Sequence, residues 1–269
     1  MQYLFLALTG AFAGTLGGLF GIGGGIVIVP ALYVVFTSVG ADPEIAFKTA
    51  VGTSLATIIV TSLRSMRSHH LRGAVDFSVL QLWGPFIALG AVAGAGLARF
   101  ISGEALTVIF ALGVIGMGTH RIIGKKDRPS DDKRALDFSS SVQRGMAVAT
   151  GTFSSLMGIG GGVIGVLLLT LGGRPIHQAV GTASGFGIAI AIPGAIAFAL
   201  LGLSQETLDG AIGFVHLPGF VAVALGTLIF VPLGASLAHR LPGAYLSVGF
   251  GIYMLITGVL LLREAFFGA

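Results

Sequence analysis

The sequence predicts an all-α integral membrane protein, a polytopic helical bundle made of two inverted-topology repeats. Three observations carry that prediction. Charged residues make up 10% of the 269 positions and hydrophobic ones 54%, whereas soluble domains carry roughly 25% charged residues. Uncharged apolar runs recur at Gln2–Phe20, Ala179–Leu203 and Ala244–Leu262, and about 20 such residues span a hydrocarbon core. Finally, one glycine-rich segment occurs twice.

The repeat sets the order of elements. Gly14-Thr15-Leu16-Gly17-Gly18-Leu19-Phe20-Gly21-Ile22-Gly23-Gly24-Gly25 returns as Gly151-Thr152-Phe153-Ser154-Ser155-Leu156-Met157-Gly158-Ile159-Gly160-Gly161-Gly162. Ala50-Val51-Gly52-Thr53 returns as Ala179-Val180-Gly181-Thr182, and Gly94-Ala95-Gly96-Leu97-Ala98 parallels Gly234-Ala235-Ser236-Leu237-Ala238. Three matches in one order define membrane repeat 1 (1–123), a charged cytoplasmic linker (124–143) and membrane repeat 2 (144–269). Each repeat reads as a first helix, a glycine break, a short apolar stretch and three full spans, about 8–10 membrane segments in all. The spans are predicted over 46–64, 77–100 and 105–123, then over 179–203, 214–238 and 244–265. Ala11-Phe12-Ala13 resembles a signal-peptidase site, but no basic residue precedes it and a near copy of the segment recurs mid-chain. It is therefore read as part of the fold.

Orientation follows from the cations, since Lys and Arg gather on the cytoplasmic side. Arg64, Arg67 and Arg72 share one loop, and Arg121, Lys125, Lys126, Arg128, Lys133, Arg134 and Arg144 lie in or beside another, two crossings later. The segment Ser204–Gly213 has neither Lys nor Arg and suits the outside, which places Arg174 and Arg240 inside. The chain from Arg144 to Arg174 then starts and ends on one face. Two half-helices meeting at the glycines would achieve this, and so would two crossings. Val163–Leu171 is only about 14 Å long at 1.5 Å per residue, which favours the half-helix. The same logic puts the N-terminus outside and gives the halves opposite orientation.

The glycine runs carry the candidate chemistry. Broken backbone inside hydrocarbon is tolerated only where protein or a water-lined cavity covers it. Helices that resume at Ile26 and Val163 present N–H groups and a positive dipole end, which suits an anion. Close helix packing is the alternative use of such glycines. Gly160-Gly161-Gly162-Val163-Ile164-Gly165 formally fits the G-x-G-x-x-G dinucleotide pattern, but the first repeat does not, and about 20 residues on stands glycine instead of an acid. That reading is rejected.

The paired GIGGG motifs, Pro30 after the first, and the AVGT segments resemble the sulfite exporter TauE/SafE family of membrane permeases over nearly the whole chain. The resemblance implies a secondary transporter of small anions, with sulfite and organosulfonates among the attributed substrates. The second repeat departs from the first, having no proline matching Pro30 and Ser154-Ser155 in place of Gly17-Gly18.

The predicted substrate-binding set is Gly23, Gly24, Gly25, Thr53, Ser54, Gly160, Gly161, Gly162, Thr182 and Ser184. The hydroxyls can donate to an oxyanion or bond back to their own helix. Lys48 and His177 hold matching positions at opposite membrane faces, as entrance or gating groups or as snorkelling ends. His216, a few residues into the predicted span 214–238, is a third candidate gate. Trp83 reads as a packing aromatic.

All eleven acids fall in loops or at span ends, which disfavours a metal-ion pump, because hard cations want carboxylates. With no cysteine there are no disulfides or thiolate metal sites. Neither a cofactor nor a metal site is expected. The cations flank apolar spans instead of forming one face, so no nucleic-acid partner is expected. No P-loop sequence is present. The expected partners are a small anion, a coupling ion and the lipid bilayer, with a homodimer compatible. The expected location is the bacterial plasma (inner) membrane. A secondary anion transporter leads, with a passive anion channel or a membrane-embedded enzyme as alternatives. The enzyme would need a catalytic set, and only scattered histidines are available.

Overall fold

The computed structural model describes residues 2–20, 24–123, 139–238 and 243–267. The first half of the chain comprises α1 (Gln2–Phe20), α2 (Gly25–Ser38), α3 (Pro43–His70), α4 (Phe77–Ala98) and α5 (Gly103–Ile123). The second comprises α6 (Ser140–Leu156), α7 (Gly162–Leu171), α8 (Ile176–Gly202), α9 (Leu217–Ala238) and α10 (Gly243–Phe267). A short antiparallel hairpin, β1 (Ala211–Ile212) and β2 (Val215–His216), precedes α9. Most of the linker and Arg240 lie outside the described residues, as does Gly23.

Among the described residues, six of these helices are long and apolar enough to cross a membrane. The α2 and α7 helices, at 14 and 10 residues, reach only about 21 and 15 Å, well short of a bilayer core of roughly 30 Å.

Two boundaries differ from the sequence expectation, each for a local reason. The span expected over 46–64 runs from Pro43 to His70. Its start is fixed by the Asp42 carboxylate, which accepts the Glu44 and Ile45 N–H groups at 2.9 and 3.4 Å, with Pro43 in the first turn. Its end carries Arg64, Arg67 and two histidines past the apolar limit, where water can solvate them. The span expected from 214 begins instead at Leu217, because Gly213 takes a left-handed φ of 55° and turns the hairpin. His216 therefore stands before the helix, not within it, and its Nδ1 accepts the Gly219 N–H at 3.0 Å as a cap.

The core is the α3/α8 pair, and α3 is the most deeply buried of the membrane-length helices. The two run antiparallel: Leu55 packs beside Gly194, and Ser65 bonds Ser184 at 3.0 Å. The α5 and α10 helices also run antiparallel, with Gly118 at Gly251 and Ala111 at Gly258. Around them α1 pairs with α9 and α4 with α6. Small residues close both flanking pairs, Gly14 lying on Thr227 and its repeat mate Gly151 on Ile87. Side chains cannot drive association by leaving water inside a bilayer, so close backbone approach of this kind is the main source of attraction. Exchanging each helix for its counterpart in the other repeat (α1 for α6, and so on) maps the principal helix pairs onto one another. Leu89, Ile196, Leu200, Leu225 and Ile229 point outward and stay more than half exposed, a surface suited to lipid.

Candidate functional site

The AVGT segments form two matching clips. On α3, a side chain at Gly52 would collide with the Phe214 carbonyl, and the Thr53 hydroxyl accepts the His216 N–H at 2.9 Å. On α8, a side chain at Gly181 would collide with the Ala74 carbonyl, and the Thr182 hydroxyl accepts the Asp76 N–H at 2.9 Å. In each case glycine admits a strip of backbone from the other repeat and threonine satisfies its next free amide. Both threonines are fully buried. Each spends its oxygen as an acceptor and keeps a proton to donate.

The residues held by the clips differ. Asp76 caps α4, accepting the Ser78 and Val79 N–H groups at 3.0 and 3.2 Å, and pairs with Arg174 from the α7–α8 turn. The Ser78 hydroxyl first, then the Val79 amide and the Arg174 guanidinium, hold its carboxyl below the usual range against partial desolvation. His216 caps α9 and faces Phe36 edge-on at 5.0 Å.

The two glycine breaks meet near the middle of α3. Gly25, the first residue of α2, lies so close to the Gly158–Ile159 backbone that a Cβ would strike the Gly158 carbonyl. That carbonyl accepts the Ser54 hydroxyl at 2.8 Å. Left-handed backbone falls at Gly24 (φ 81°) in the first break and at Gly158 (φ 61°) in the second. Gly161 caps α7 at φ −58° and packs on Ile190 and Phe186. Gly160 and Gly162 are buried, and the Gly162 amide bonds the Gly160 carbonyl at 2.7 Å. Trp83 stacks on Phe186 at 5.7 Å, backing this wall. Just before the second break, the Ser154 and Ser155 hydroxyls are buried and have no hydrogen-bond partner among the described residues; the same holds for Thr49, one turn from Thr53.

The predicted set thus divides. Gly25, Ser54 and the second glycine run come together at mid-bundle, while Thr53 and Thr182 sit in the separate clips. Ser184 donates to the Val180 carbonyl at 3.0 Å, which leaves Ser65 as the donor in their mutual bond. Lys48 and His177 lie at opposite ends of the bundle. Lys48 is buried and paired with Glu44 at 2.7 Å, whereas His177 is exposed.

Two cavities open at the two ends of α3. One, of about 440 Å³, is lined by Arg64, Arg67, His69, Gly18 of α1 and Pro232 of α9, among others. The other, of about 300 Å³, is lined by Asp42, Glu44, Lys48, Arg99 and residues of the α8 C-terminus. No group of three or more metal-ligating side chains occurs among the described residues.

The family model described as "Sulfite exporter TauE/SafE" matches residues 6–261. The chain belongs to the TauE/SafE family. A probable membrane transporter protein of Haemophilus influenzae is 33% identical over 259 residues, covering 95% of this chain and 96% of that protein. One from Methanocaldococcus jannaschii is 27% identical, covering 96% and 94%. YdhB of Bacillus subtilis, also named a probable membrane transporter protein, is 28% identical, covering 91% and 94%. No solved structure matches. This TauE/SafE chain is an integral membrane transporter.

Sequence reasoning missed the Asp76–Arg174 pair and the hairpin that brings His216 to Thr53. Asp76 two residues before Ser78 carried a capping signal, but its partner lies 98 residues away and nothing local announces it.

Proposed function

We propose that this protein is a secondary transporter of small anions, with sulfite or an organosulfonate as substrate. It works in the bacterial plasma membrane by alternating access of two inverted repeats, 1–123 and 144–269. The observation that carries this reading is the meeting of the two glycine breaks at mid-bundle, beside the hydroxyls of Ser154 and Ser155, which have no partner among the described residues. Buried polar groups normally find partners, and a hydroxyl can donate to an oxyanion in its bound state. The first turns of α2 and α7 add amide donors and positive dipole ends at the same level, and Thr53 and Thr182 keep protons to donate. The antiparallel runs of α3 with α8 and α5 with α10 support the inverted arrangement. The contact of Gly25 with Gly158 and Ile159 between two end cavities favours alternating access over an open pore.

Counterflow in proteoliposomes tests the reading. Vesicles loaded with unlabelled sulfite, sulfoacetate, sulfate or acetate should accumulate a labelled version of the transported anion, stimulated from the opposite side. Flux without such stimulation would mean a channel. Stimulation by sodium or nickel alone would defeat the anion reading.

A further inference from the structure

We propose that the cavity at the arginine end of α3 is an oxyanion-binding vestibule that loads solute toward the glycine breaks. The proposal rests on the transporter reading above and adds a separate site to it. Arg64 and Arg67 stand three residues apart, hence on one face of the last turns of α3, and both line this cavity with His69. Its far wall is Gly18 of α1 and Val231 and Pro232 of α9. Gly18 lies three residues before the first glycine run, so the cavity reaches from the end of the bundle toward the broken helix. Arginines that merely orient a chain need only lie in a loop; these two border a defined space of about 440 Å³, against roughly 30 Å³ for a water molecule.

The charge of this space is one-sided. Among the described residues that line it there is no carboxylate, and a guanidinium fork matches the paired oxygens of a sulfonate, sulfite or phosphate. The cavity at the other end balances Asp42 and Glu44 against Lys48 and Arg99, and Lys48 is already paired with Glu44. Apolar walls focus the field of unbalanced charges and raise the local anion concentration. An anion is therefore gathered at the arginine end and held less at the other. The same chemistry would also suit an anionic lipid headgroup, so the test separates the two sources.

Ser68 lines the cavity and the chain has no cysteine, so Ser68→Cys gives a local reporter. The full chain is placed in phosphatidylcholine nanodiscs, and the rate of maleimide alkylation is measured with and without sulfoacetate. Sulfoacetate should slow alkylation at least five-fold. That protection should vanish in R64Q/R67Q, remain only in part in R64K/R67K, which keeps the charge but loses the fork, and weaken with added salt. Equal protection in R64Q/R67Q, or none in the parent, would overturn the proposal. So would protection by phosphatidylglycerol with none by sulfoacetate, which would make the cavity a lipid site. Gly161→Val separates this claim from the central site: unchanged flux there would refute the glycine-break reading while leaving protection at Ser68 intact.

Discussion

The two clips share a backbone and differ in side chains. In both, a glycine on one core helix receives a carbonyl from the other repeat, and the next threonine accepts an amide at 2.9 Å. What the clip holds diverges: Asp76 joins an ion pair with Arg174, while His216 caps its helix against Phe36. The backbone geometry is the same at both clips, while the groups they hold at the two ends differ.

Both clips depend most on their glycines. Gly52→Ala and Gly181→Ala should each cost about 3 kcal/mol or more, because the added methyl meets a carbonyl that the clip fixes in place. Thermal unfolding of the purified variants should show two similar losses. A large loss at one position and none at the other would mean that only one clip joins the repeats.

Smaller effects should follow at the threonines. Thr53→Val and Thr182→Val each remove one acceptor from a buried amide, worth about 1–2 kcal/mol in a membrane protein. Equal destabilisation with unchanged anion affinity would assign these hydroxyls to joining the repeats alone. Added loss of affinity, by about 1–3 kcal/mol, would show that their free protons reach the ligand.

The smallest effect should distinguish the two ends. Asp76→Asn keeps a competent cap and loses the Arg174 pair, for under about 1 kcal/mol at neutral pH. The sign with pH is definite. A carboxyl held below its ordinary value stabilises the fold above that value and ceases to do so as pH falls through the lowered one. The difference between wild type and Asp76→Asn should therefore shrink as pH drops below about 4. A gap that widens on acidification would contradict the ion pair.

Much of the architecture was legible because it is written in period and repetition. Apolar length marked α4, α5 and α8–α10, and the duplicated glycines marked the breaks and short helices α2 and α7. The site was legible only in part. Gly25 and Ser54 were found, but their common partner Gly158 belongs to the other repeat, 104 residues from Ser54. Thr53 and Thr182 stood out as matched hydroxyls, yet their amide partners lie 163 and 106 residues distant. A sequence displays matched positions; which matched position touches which depends on how the halves cross. His216 was assigned to a span because Gly213 gives no local sign that it turns a hairpin.

Whether the two glycine breaks meet to bind an anion can be read from calorimetry on Gly161→Val beside wild type. A valine there has ordinary backbone angles but meets Ile190, its Cβ 2.5 Å from Cδ1, a flexible side chain able to move toward the break. Wild type should bind sulfite or sulfoacetate saturably, and Gly161→Val should lose that binding while its melting temperature falls by only a few degrees. Saturable binding of nickel or sodium by wild type, with none of sulfite, sulfate, sulfoacetate or acetate, would make the glycine breaks a cation site instead.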